Sequence, residues 1–134
     1  MHSMTTEYLG GLRTQATHLK SGNQIITDAP TDNNGKGEAF SPTDLVSSAL
    51  SSCMMTLMGI AAEREDIDLR GLKATVTKIM ASSPRKIQEI KIEFTIDNLQ
   101  ATEVQVQKLK RAALTCPVAL SLSESITQTV TFNF

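Results

Sequence analysis

The sequence predicts an α+β protein built on an antiparallel or mixed sheet, and three observations predict it. Two segments alternate apolar and polar residues with the period of a half-buried strand: Leu72, Ala74 and Val76 against Lys73, Thr75 and Thr77, then Ile90, Ile92, Phe94 and Ile96 against Lys91, Glu93 and Thr95. An apolar run from about 42 to 65 is far too long for a strand and opens on a helix-start signal. A second helical pattern, Val106, Leu109 and Ala113 at i, i+3 and i+7, lies between strands rather than after them.

Taken in order, Met-His-Ser before Met4 reads as a tag or an upstream start and is left out of the functional reading. Tyr8 to Asp28 suits two short strands around a Lys20-Ser21-Gly22-Asn23 turn, where Gly and Asn tolerate the positive φ of a tight hairpin. Residues 29–40, rich in turn formers, form a loop. In Ser41-Pro42-Thr43-Asp44 the serine can accept a backbone N–H as N-cap, the proline suits the first helical position, and the aspartate favours the positive helix end. The helix that follows is apolar almost all round between Cys53 and Ala62, which predicts burial on several sides and a central place. The serines at 47/48 and 51/52 add a strip of small residues that lets another backbone approach. Glu63-Arg64-Glu65-Asp66 ends the apolar segment in solvent, and Ala81–Lys86 joins the two alternating strands as a hairpin loop. Thr102 to Gln105 has capping-box form, so the second helix starts there and ends near Cys116-Pro117. Ile126, Val130 and Phe132 close the chain as a strand. The expected order is ββ-α-ββ-α-β in a single domain over residues 1–134.

Composition narrows the function classes. With 13 basic and 14 acidic residues, no basic stripe and only 4% aromatics, the chain offers no nucleic-acid platform, and its core must rest on aliphatic and Met side chains. Five hydroxyl residues interrupt the apolar stretch from Leu45 to Ala62, so no membrane span is expected, and without an export signal the expected location is cytoplasmic. Two cysteines in such a chain are free thiols or a catalytic pair rather than a disulfide framework. The only histidines, His2 and His18, do not pair with them at metal-ligand spacing, so no metal site is expected.

Cys53 falls in the third turn of the long helix, beyond the reach of the helix dipole, which fades within the first turn. An ordinary thiol is only a few per cent thiolate at pH 7, so a reactive Cys53 needs a cationic neighbour; otherwise it is one more small apolar core residue. In Thr115-Cys116-Pro117-Val118 the proline suits the first position of a new helical turn, leaving Cys116 at its N-cap, where unpaired N–H groups favour a thiolate; plain packing explains it equally.

The segment Gly37 to Cys53 (GEAFSPTDLVSSALSSC) resembles the signature of the osmotically inducible protein C and organic hydroperoxide resistance (OsmC/Ohr) family. Ser83-Pro84-Arg85-Lys86-Ile87 and Thr115-Cys116-Pro117-Val118 resemble two further landmarks in the same order, so the likeness runs over roughly residues 8–133. It implies an OsmC-like fold, an intertwined homodimer with packed central helices, and cysteine-based hydroperoxide reduction. Cys53 would attack an organic hydroperoxide and form a sulfenic acid, and Cys116 would condense with it to a disulfide. A small dithiol or lipoyl-type reductant would restore the thiols, with no cofactor. Leu50, Met54 and Leu57 beside Cys53 would face an apolar substrate, although Met54, Met55 and Met58 also read as core filler.

Family members hold the thiolate with an arginine, and hold that arginine with a glutamate ten positions before the cysteine; Thr43 stands there in this chain. Asp44 is adjacent, but nine residues of helix span about 14 Å, so it could not touch Cys53 within one subunit and would have to act across a dimer. Glu38 is another stand-in. Arg13 is the arginine the N-terminal strands offer, with a solvated strand charge as its plainer reading, and Arg85 follows the hairpin proline as a turn residue. A changed carboxylate leaves two alternatives to the peroxidase: a thiol redox protein acting on another electrophile, and an apolar-ligand-binding module without turnover.

Overall fold

The computed structural model describes all 134 residues, and the chain divides into two compact units, Met1–Val46 and Ser47–Phe134. The first is built on a three-stranded antiparallel meander, β1 (Met4–Gly10), β2 (Arg13–His18) and β3 (Gln24–Asp28), in the order β1-β2-β3. One strand more forms here than the sequence reading expected. Gly10 and Gly11 at φ +83° and +60°, with Leu12 at +62°, make the extra turn, and a Gly-Gly pair is itself a hairpin signal. The second turn lies where expected, with Gly22 at φ +76° and its N–H donating to the His18 carbonyl. The register about that turn sets Arg13 directly opposite Asp28.

Residues 29–40 contain one 3-10 turn, Thr31–Asn33. Their backbone is tied to the end of the hairpin: Ala29 N–H donates to the Leu12 carbonyl, Gly37 N–H to the Ala29 carbonyl, and Asp28 N–H to the Phe40 carbonyl. Gly35 is needed for this path, because a Cβ there would lie 1.8 Å from the Ala29 carbonyl oxygen. Helix α1 (Pro42–Arg64) then starts on a reciprocal cap. Asp44 N–H donates to Ser41 Oγ at 3.1 Å, and Ser41 N–H donates back to Asp44 Oδ2 at 3.0 Å.

The second unit carries a mixed sheet of order β4-β5-β6. Strands β4 (Lys73–Ser82) and β5 (Arg85–Thr95) form an antiparallel hairpin whose expected loop shrinks to Ser83-Pro84, joined by a cis peptide. Strand β6 (Thr127–Asn133) runs parallel to β5, which requires the crossover that α2 (Glu103–Leu114) and the short α3 (Pro117–Ser121) supply. The alternating pattern gives the sheet one apolar face, with Ile90, Ile92 and Phe94 of β5 at its centre and essentially fully buried. Phe94 stacks on Phe132 of β6 at 5.5 Å, and Lys110 of α2 sits 5.7 Å from the centre of the Phe132 ring, so α2 covers this face.

The capping box of α2 is present as read: Gln105 N–H donates to Thr102 Oγ1 at 3.2 Å and Thr102 N–H to Gln105 Oε1 at 2.9 Å. The helix buries Leu109 and Ala113, and an ion pair from Lys108 to Glu65 joins it to the segment just after α1. On α1 burial follows a stripe at helical spacing, Ser47, Leu50, Ser51, Met54, Met58 and Ala62, while Cys53 and Leu57 are half-buried and Ile60 is exposed. By length and composition α1 is apolar enough to cross a membrane. The complete burial of Leu50, Met54 and Met58 marks it instead as a core helix of this fold.

Candidate functional site: a thiol pair and an anchored arginine

Within the second unit, α1 carries Cys53 at half-buried exposure, and the junction of α2 and α3 carries Cys116 with no exposed surface. The junction owes its shape to sequence. Thr115 ends α2, and Pro117 cannot continue it but suits the first position of the next helix, which leaves Cys116 as the N-cap of α3 with extended backbone. Its Sγ accepts the Ala119 N–H at 3.4 Å, while its own N–H donates to the Ala113 carbonyl at 3.3 Å. In this position the Cys116 thiol lies close enough to Cys53 to feel its charge, so two thiols far apart in sequence are neighbours.

Burial pushes the Cys116 thiol above its ordinary range. The Ala119 N–H opposes that rise, while the nearby Cys53 sulfur adds to it, and the Val118 N–H opposes it in a small way. Both cysteines are free, and Cys53 is the one with surface open to a reactant. Helical spacing puts Leu50 and Leu57 on the side of Cys53, at i−3 and i+4. Leu50 and Met54 have no exposed surface, so among the three apolar neighbours named from sequence only Leu57 presents any to solvent.

The first unit holds a second constellation. Arg13 on β2 forks onto the carboxylate of Asp28 on β3, with Nε to Oδ1 at 2.7 Å and Nη2 to Oδ2 at 2.8 Å. Asp28 is 1% exposed and also accepts the Glu38 N–H at 3.1 Å, so one carboxylate binds the arginine and the loop strand together. The Arg13 guanidinium, chiefly through its hydrogen bonds, holds the Asp28 carboxyl below the usual carboxylate range against the opposing effect of burial. Of the two carboxylates considered from sequence, Glu38 is exposed; its backbone serves Asp28, and its charge adds a small further hold on Arg13. Asp44 is bonded to Ser41 in the cap of α1, and Thr43 Oγ1 lies 3.3 Å from Ser41 Oγ in the same turn.

The pairing of Arg13 with Asp28 was not foreseen from sequence. A signal for it existed, because folding the chain about the Lys20–Asn23 turn sets the two residues opposite each other in the register observed.

A family model described as OsmC-like protein matches residues 35–131. The chain belongs to the OsmC-like family. A solved structure from Psychrobacter arcticus 273-4, described as an osmotic stress induced and detoxification response protein, is 47% identical, covers 99% of this chain with 96% of its own, and superposes with a TM-score of 0.94. An organic hydroperoxide resistance protein OsmC from Legionella pneumophila, 15% identical, covers 100% of this OsmC-like chain and 98% of its own at a TM-score of 0.76. An organic hydroperoxide resistance protein from Vibrio cholerae, solved with captopril in one of its active sites, is 17% identical, covers 99% and 92%, and superposes at 0.70. These last two share the fold with this chain. No curated protein sequence matches it.

Proposed function

We propose that this OsmC-like protein is a thiol peroxidase that reduces organic hydroperoxides to alcohols. The observation that carries the reading is the pair of free, neighbouring thiols inside one unit, one half-buried and one sealed. That asymmetry separates the roles. The Cys53 thiolate attacks the distal oxygen of ROOH, the O–O bond breaks, and the products are the Cys53 sulfenic acid and the alcohol. Cys116 then attacks the sulfenic sulfur, forming the Cys53–Cys116 disulfide and releasing water. A small dithiol or lipoyl-type reductant passes two electrons to the disulfide and restores both thiols. Hydroperoxide resistance among fold neighbours supports this substrate class, and Leu57 beside Cys53 supports an apolar R group.

The cation of this scheme is Arg13, with Asp28 as its positioning residue; the sequence likeness supports the first role and the fork supports the second. The working form in this reading is a homodimer, supported by apolar side chains left exposed on the first sheet, among them Tyr8, Leu9, Ile25 and Ile26.

Titration of the reduced protein with cumene hydroperoxide tests the reading. One equivalent is expected to remove both free thiols of each chain through an internal disulfide, whereas Cys53→Ser keeps its remaining thiol. Slow and equal oxidation of the two proteins would instead favour an apolar-ligand-binding protein without turnover.

A further inference from the structure

We propose that Gln128 is a positioning residue for the second step of the cycle: its side-chain amide holds Ala119 in place, so that the Ala119 N–H stays on the Cys116 sulfur. This rests on the peroxidase reading and adds to it the residue that readies the second thiol. The inner face of β6 is apolar at Val130 and Phe132, with Ile126 just before the strand, and Gln128 breaks that series at a half-buried position. In the register it pairs with Ile90 of β5, which has no exposed surface. An amide in such a place is costly unless it is hydrogen-bonded, and Gln128 Nε2 donates to the Ala119 carbonyl at 3.0 Å. Ala119 is also the residue whose N–H donates to Cys116 Sγ at 3.4 Å, so it takes a bond from β6 at its carbonyl and gives one to the thiol at its nitrogen. Helix α3 is only five residues long, buries none of them and leaves Leu120 largely exposed. So short a helix is marginal by itself, and contacts from elsewhere in the fold must set its place. Gln128 supplies one from the sheet.

In the second step the Cys116 thiolate attacks the sulfur of Cys53–SOH: the S–S bond forms, the S–O bond breaks, and hydroxide leaves as water with the proton that Cys116 gave up. Burial of Cys116 opposes the thiolate this step needs, and an N–H donor on its sulfur favours it. That donor acts only while Ala119 is held against Sγ. Without the tether the first turn of α3 is free to move, and Cys116 loses both the donor and the fixed direction of its side chain. Gln128 acts through Ala119 and not on the sulfur itself, so its effect falls on Cys116 and leaves the first step, at Cys53, as it is.

Rapid quench after excess cumene hydroperoxide, with dimedone trapping and mass spectrometry, follows the Cys53 sulfenic acid as it forms and as it passes to the disulfide. In Gln128→Met, of similar length but with no donor, formation should be unchanged while conversion to the disulfide slows by about threefold to tenfold, the scale of one hydrogen bond. Gln128→Glu should show the same loss at pH 7.5, because a carboxylate has no proton to give a carbonyl. At pH 5, where a half-buried carboxyl facing a carbonyl is largely protonated, it should return towards the unaltered protein at that pH, while Gln128→Met stays slow. Conversion in Gln128→Met as fast as in the unaltered protein overturns the inference. So does an equal slowing of formation and conversion, or a loss in Gln128→Glu that does not respond to pH, either of which would mark disturbed packing. None of these results touches the peroxidase reading, which falls separately if the unaltered protein loses no thiols to the hydroperoxide.

Discussion

Oxidising the protein with one equivalent of hydroperoxide should make it harder to unfold, and the size of the effect follows from where the two cysteines sit. The disulfide would join the middle of α1 to the α2–α3 junction and close a loop of roughly 60 residues, which removes about 4 kcal/mol of chain entropy from the unfolded state. Against this stands the Cys116 N-cap: once Sγ turns to bond Cys53, its hydrogen bond from Ala119 weakens, a loss of about 1 kcal/mol. The thiols are neighbours in the reduced state, so the backbone movement opposing closure is taken as small. The balance is a gain of about 3 kcal/mol, or a urea midpoint higher by about 1–3 M at ordinary denaturant slopes. Urea unfolding followed by circular dichroism, at one protein concentration for both redox forms, measures it. Cys53→Ser treated with the same peroxide should show no shift. An oxidised protein that unfolds at the same or lower urea concentration would refute the reasoning, because closure would then require distortion that the adjacency of the thiols does not suggest.

Other outcomes follow from the arginine fork. Arg13→Ala should slow sulfenic acid formation by about tenfold or more, the effect of losing a cation that favours the thiolate, and Asp28→Asn should act in the same direction with Arg13 still present; unchanged peroxide kinetics in Arg13→Ala would move attention to Arg85. The fork also gives an acid-labile component of stability. The Asp28 carboxyl is depressed in the folded state by Arg13, so its contribution is complete above the ordinary carboxylate range of about pH 4 and is lost as pH falls through the folded value. Acid unfolding of Asp28→Asn should therefore lack that component, and an acid limb identical to that of the unaltered protein would contradict it.

Much of the second unit was legible because its signals are local. Period-two alternation fixed the faces of β4 and β5, the Thr102–Gln105 box fixed the start of α2, and Pro117 after Cys116 fixed the break at which the buried thiol sits. The first unit was read less well. Gly10-Gly11 is as strong a hairpin pair as the turn that was recognised, but with no clear apolar alternation around it the chain on its N-terminal side carried no independent strand signal. The burial of α1 was legible from its all-round apolar pattern, but which stripe of the helix this chain itself covers was not.

The family pattern places the arginine's carboxylate on the helix, where Thr43 breaks it and Asp44 and the loop residue Glu38 are the stand-ins the sequence offers, although the same task can be done from across a hairpin. Positions ten residues apart on a helix are separated by nearly three turns, whereas residues facing each other across an antiparallel pair lie about 5 Å apart at the backbone, however far apart they are in sequence. Asp28 meets the second condition with Arg13, and its burial makes an unpaired charge there costly, so the two residues hold each other. The carboxylate thus sits on the strand beside the arginine it holds, which leaves position 43 free to carry the threonine of a helix cap. If that relocation is functional, restoring a glutamate at position 43 should not rescue Asp28→Asn, because the fork depends on strand register and not on the helix.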